Sequence, residues 1–164
     1  MKLPLIGLVL SGLMFTTFAL GDVIPECMSH GTAISIDNQQ VIDWKTSTAN
    51  AFLARSHVSG TINKLFPDRN GHNHFEIEIG PAPTDRLEVV YSIAFGPLQP
   101  LEVGMMIEAC GDYITSTAQT GSYPPSPSGA IIHWIHKNPS GHGHDSGFIV
   151  VNGVLGGQGK HPSN

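Results

Sequence analysis

From Val58 onward, apolar and polar side chains alternate with a period of two, the mark of half-buried strands. Residues 58–66 read as a first strand bent at Gly60 and closed by Pro67-Asp68, and Asn70-Gly71 supplies a tight turn. Phe75, Ile77 and Ile79 then alternate with His74, Glu76 and Glu78, predicting a strand with an acidic outer face that stops at Pro81 and Pro83. Residues 87–94, 105–115, 130–136 and 148–155 read as further strands, and the Ser/Thr/Gly/Pro-rich stretch 116–129 as an exposed loop. Ahead of them, residues 39–55 carry Val41, Ile42, Trp44, Ala49, Phe52 and Leu53 and predict one helix with a terminus near Ser56.

This order predicts a mainly β protein: a small antiparallel OB-like β-barrel over residues 58–156, preceded by an arm and helix over 22–57 and followed by a flexible tail over 157–164. A sandwich with the same strand count gives the same periodicity and stays open as the alternative.

The first 21 residues read as a signal peptide, with Lys2 before an apolar run and a small-x-small site at Ala19-Leu20-Gly21. A retained membrane anchor fits less well, because Pro4, Ser11, Gly12, Thr16 and Thr17 interrupt the run. The expectation is an exported chain, periplasmic or extracellular, with no membrane attachment after cleavage. About 143 residues would remain, enough for one domain with a single core. Cys27 and Cys110 would then pair as one disulfide in an oxidising compartment, or Cys110 would be a buried thiol. Acidic side chains outnumber Lys and Arg by 13 to 8, which argues against sequence-independent nucleic-acid binding through many phosphate contacts.

Histidine is the unusual feature: nine in a chain with eight Lys and Arg, six of them within residues 68–74 and 132–147. Imidazole can ligate a metal or transfer a proton near neutral pH. His72 and His74 are two residues apart, so in an extended segment they point the same way, as do His142 and His144. His133 and His136 are three apart and point to opposite faces of a strand, so they reach one ion only if a bulge or the strand end before Pro139 intervenes. Ile131, Ile132 and Ile135 argue against a helix there.

The stretch Gly60-Thr-Ile-x-x-Leu65-Phe-Pro-Asp68-x-Asn-Gly71-His72, the Gly111-Asp112-Tyr113 strand, and Ile132-His133-Trp134-Ile135-His136-Lys137-Asn138-Pro139 followed by His144-x-x-Gly147-Phe148 resemble a bacterial exported protein family of unknown function. That family has a predicted OB-type barrel and a His-Trp-Thr-His motif. The resemblance covers roughly residues 58–156 and aligns His72, His133, His136 and His144 with family histidines. The chain departs at Ile135 (threonine in the family), at His74 (a long polar side chain) and at Tyr91 (a histidine). The resemblance implies fold and export and names no reaction.

The leading expectation is therefore a divalent transition metal, zinc or copper, held by His72, His133, His136 and His144 at one barrel rim. The second is a phosphodiesterase or nuclease using His133 and His136 as base and acid, with Lys137 or Arg69 holding an oxyanion and Asp68 and Asp145 orienting the rings. The third is an OB-type ligand-binding module without metal, for a small ligand or for single-stranded nucleic acid stacked on Trp134, Tyr113 and Phe75. Against all three stands the bland alternative of one core histidine, one surface histidine and a solvated Gly-rich loop. No zincin motif, nucleophile elbow or phosphate-binding Gly loop is present.

Overall fold

The computed structural model describes residues 23–159. The expected signal peptide, the final residues 160–164 and His161 lie outside the described residues. The arm begins with a small hairpin, β1 (Met28–Ser29) and β2 (Thr32–Ala33), turned at His30-Gly31. One helix follows, α1 (Asn38–Ser47), capped by the Asp37 carboxylate accepting from the Gln40 N–H at 2.9 Å.

The helix stops earlier than its composition predicts. Thr48 turns both its N–H and its hydroxyl back onto the Trp44 carbonyl, at 3.0 and 2.7 Å, and Ala51 adopts a left-handed φ of 66°. Residues 53–57, expected to close the helix, instead join β3 (Leu53–Leu65), because their backbone pairs with a neighbouring strand from Leu53↔Ile114 to His57↔Cys110. Tertiary pairing overrides local helix propensity here. The barrel thus begins at Leu53 rather than Val58.

Four more strands close it: β4 (His72–Glu78), β5 (Arg86–Ser92), β6 (Met106–Thr115) and β7 (Ala130–His133). The order is β3-β4-β5-β7-β6, and β6 returns to β3; every pairing is antiparallel except β5 with β7. This closed five-stranded barrel with one helix is the OB-like architecture the strand pattern predicts. The last expected strand is instead a hairpin, β8 (Phe148–Val151) and β9 (Val154–Gly156), because Asn152-Gly153 makes a turn with both φ values positive.

The interior is filled by the inward set Val58, Ile62, Phe75, Ile77, Leu87, Val89, Ile107, Tyr113 and Ile132. Phe75 and Tyr113 are fully buried there, so they form no outer stacking platform. Trp44 and Phe52 close the α1 end against Tyr113, at 5.4 and 6.3 Å between ring centres. Cys27 and Cys110 are joined as a disulfide across 83 residues. A crosslink over that span stabilises the fold by roughly 4.5 kcal/mol through the unfolded chain's lost entropy.

The outer face of β4 is not the open acidic face its sequence predicts. Glu78 is exposed, but Glu76 is buried, accepting from Asn63 at 2.8 Å and from the Ser128 hydroxyl at 2.7 Å. The expected tail is also partly ordered: Lys137 N–H donates to the Gly157 carbonyl at 2.7 Å and Gly159 N–H to Phe95 at 3.0 Å.

Candidate functional site

At the barrel end away from α1, the start of β4 and the end of β7 place histidines side by side. Alternation puts Phe75 and Ile77 inside the barrel, so His72 and His74 stand on the outside. His133 ends β7 opposite Asp112. The next residue, Trp134, takes a left-handed φ of 51°, a conformation that costs an L-residue about 1–2 kcal/mol. It ends the strand alternation: Ile135 turns into the core, and His136 packs flat on Phe95 with ring centres 3.6 Å apart. This is the strand end that lets His133 and His136 share one rim.

Two close backbone approaches hold that segment. A Cβ on Gly111 would lie 2.4 Å from the His133 carbonyl, and one on Gly147 would lie 2.4 Å from the Trp134 carbonyl. Only glycine fits at either position without moving the chain.

The rings form a row rather than a ring around one point. His74 and His72 are 6.3 Å apart between centres, His72 and His133 5.5 Å, and His133 and Trp134 4.8 Å. Trp134 and His144 are then 5.5 Å apart, and His144 and His136 5.4 Å. Among the described residues, no group of three or more His, Cys, Asp or Glu side chains is placed to hold a metal ion. The four expected ligands stand instead as two pairs, His72 with His133 and His136 with His144, with Trp134 between them. Two imidazoles on one tetrahedral ion at about 2.0–2.1 Å have ring centres roughly 5 Å apart, close to the spacing within each pair.

Hydrogen bonds fix the tautomers. Nδ1 of His72 donates to the Asn70 carbonyl at 2.8 Å, Nδ1 of His136 to the Lys137 carbonyl at 2.9 Å, and Nδ1 of His144 to the Asp145 carbonyl at 2.8 Å. Nδ1 of His74 donates to the Glu88 carboxylate at 2.8 Å. At His72, His74 and His144 the acceptor takes Nδ1, so Nε2 is the nitrogen that can offer a lone pair when the ring is neutral. His133 is held neutral by its surroundings. Burial, then repulsion from His72, His136, His144 and His74, lowers its pKa from 6.5 to about 4.

Glu88 is 1% exposed, and the Arg69 guanidinium lies 3.6 Å from the same oxygen that His74 contacts. A carboxylate this deeply buried requires such partners. A cleft of about 280 Å³ opens beside His74, walled by Leu65, Phe66, Asp68 and Leu101.

Other expected site residues fall elsewhere. The Lys137 side chain is exposed to solvent, as is His142. Among the described residues the carboxylates of Asp68 and Asp145 orient no imidazole: that of Asp68 accepts from Asn73 at 2.9 Å and that of Asp145 from the backbone N–H of His30 at 2.8 Å. Backbone carbonyls and Glu88 do the orienting. His74 and Glu88 lie outside the set of site residues expected from the sequence. The two-residue step from His72 was a usable signal for His74. Glu88 had none, because its approach depends on the β4–β5 register. No family model, curated protein or solved structure matches the chain.

Proposed function

We propose that this rim binds a divalent transition metal, zinc or copper, through His72 with His133 and His136 with His144. The observation that carries the reading is the Nδ1 anchoring. Metal-bound histidines characteristically donate their other ring N–H to a carbonyl or carboxylate, which presents a basic Nε2 to the ion. Three of the four proposed ligands carry that bond, and neighbouring His74 carries a fourth. A two-imidazole site leaves coordination positions for water or a small ligand, so micromolar rather than structural affinity is expected. The rim adjoins the second and third barrel strands, a face that OB barrels use for ligands.

Calorimetric titration of the metal-free protein with Cu²⁺ and Zn²⁺ tests this. A His72→Ala/His136→Ala double variant, which removes one ring from each pair, is expected to lose binding. Full affinity in that variant would discard the ligand set.

A second reading, a phosphodiesterase or nuclease, is favoured by one further observation: the Glu88–His74 pair with Arg69 beside it. A carboxylate that fixes an imidazole, with a cation close by, is how a base is set against a phosphate. In that reading His74 joins the expected His133 and His136 as the base that Glu88 fixes, and Arg69, not the exposed Lys137, holds the oxyanion. Cleavage of single-stranded RNA or DNA by metal-free protein, abolished by His133→Ala, would favour it over the binding module. Membership of the exported family and a periplasmic or extracellular location belong to the same proposal; the disulfide is consistent with an oxidising compartment.

A further inference from the structure

The loop from Asn138 to Gly147 carries His144 and consists largely of small and polar residues. Its own bonds are local, such as Asn138 Nδ2 donating to the His142 and His144 carbonyls at 2.9 and 2.6 Å. Besides Gln158, which donates to the Gly147 carbonyl at 3.2 Å, two bonds among the described residues reach it from more distant parts of the sequence. The His30 N–H in the β1–β2 turn donates to the Asp145 carboxylate at 2.8 Å. The Arg55 guanidinium on β3 donates to the Ser146 carbonyl.

Both bonds lead to the same anchor. Arg55 also donates to the Met28 carbonyl at 2.9 Å, to Asp112 at 2.9 Å and to the Cys110 sulfur at 3.1 Å. The hairpin itself is pinned to β6 by Cys27–Cys110, and the Ile34 N–H donates to the Cys27 carbonyl at 2.8 Å. His30 and Gly31 take left-handed φ values of 49° and 82°, as a two-residue hairpin turn requires, and this turn leaves the His30 N–H outside the hairpin ladder, where it donates to Asp145.

We propose that the disulfide-tied arm is a clasp for the metal-binding rim. Arg55 and Asp145 are its positioning residues: they hold the loop so that His144 faces His136, and they leave the His72–His133 pair independent. Neither residue touches the ion. The metal arm of the test rests on the proposed function above; the loop arm does not.

The experiment compares Asp145→Ala with Asp145→Asn in the full chain, since an asparagine oxygen still accepts from His30. Hydrogen exchange reads the loop directly. Asp145→Ala is expected to speed exchange at residues 138–147 by about tenfold and leave β4 amides unchanged, while Asp145→Asn stays near wild type. Cu²⁺ titration reads the rings, in a His72→Ala/His133→Ala background and separately in a His136→Ala/His144→Ala background. Asp145→Ala should weaken the His136–His144 pair by about tenfold and leave the other pair unchanged.

Unchanged loop exchange in Asp145→Ala overturns the clasp. So does equal weakening of both pairs, or of neither, when wild type binds copper. Should wild type bind no copper while the loop still loosens selectively, the metal reading fails and the clasp stands as a holder of the ring row.

Discussion

Two histidine–carboxylate pairs sit on the same barrel and do different work. His57 on β3 places Nε2 2.9 Å from the Glu108 carboxylate and Nδ1 3.1 Å from the Ile34 carbonyl, with its ring edge-on to Phe148. Both nitrogens are spent on acceptors, so the ring is a brace between arm and barrel. His74 spends only Nδ1, on Glu88, and its Nε2 has no acceptor among the described residues, with the His72 ring beside it. The difference lies not in burial or in having a carboxylate partner, since both rings are largely covered. It lies in which nitrogen is left for a ligand. By that criterion His72 and His144 side with His74.

The largest effect expected from this contrast is on metal binding. The His72→Ala/His136→Ala variant should lose Cu²⁺ affinity by about a hundredfold or more, whereas His57→Ala should keep it and lose roughly 1–3 kcal/mol of stability instead. Chemical denaturation alongside titration separates the two; equal metal loss in His57→Ala would erase the distinction. Glu88→Gln removes the charge but keeps an oxygen for Nδ1, and it should weaken binding by about tenfold if His74 and its neighbours act together. An unchanged isotherm would confine Glu88 to structure.

The pH dependence is a smaller effect with a definite sign. The folded-state pKa of His133 lies at about 4, below its ordinary 6.5. The folded protein therefore binds fewer protons than the unfolded chain between those values. The stability this contributes is present above pH 6.5 and is lost as pH falls toward 4. Denaturation midpoints at pH 7, 5.5 and 4 should decline, and His133→Asn should flatten the decline. The smallest effect is at Lys137: its ammonium is exposed, so Lys137→Ala should change stability by less than about 0.5 kcal/mol and leave binding intact.

The barrel was legible because period-two alternation and turn residues are local signals. Asn70-Gly71 and the Phe75-Ile77-Ile79 face describe themselves. The helix end was not, because nothing in residues 49–57 says that β6 will capture that backbone. At Asn152-Gly153 a local turn signal competes with the apolar run of residues 148–155, and the turn wins. At the site, clustering singled out two segments that the fold brings to one rim, and their arrangement depends on one dihedral, at Trp134, and on close packing at Gly111 and Gly147. Arg55 is the clearest case of what pattern cannot reach. It looked like a helix terminus and is a junction joining arm, β6 and the His144 loop.

The proposed metal site requires rim imidazoles that hold Nε2 ready for an ion. Long-range ¹H–¹⁵N NMR of the histidine rings, recorded without metal and then with zinc, reads that nitrogen itself. The predicted result is Nδ1–H tautomers at His72, His74, His136 and His144, with zinc-dependent Nε2 shifts at the rim and none at His57. Nε2–H tautomers at the rim, or spectra that zinc leaves unchanged, would contradict it.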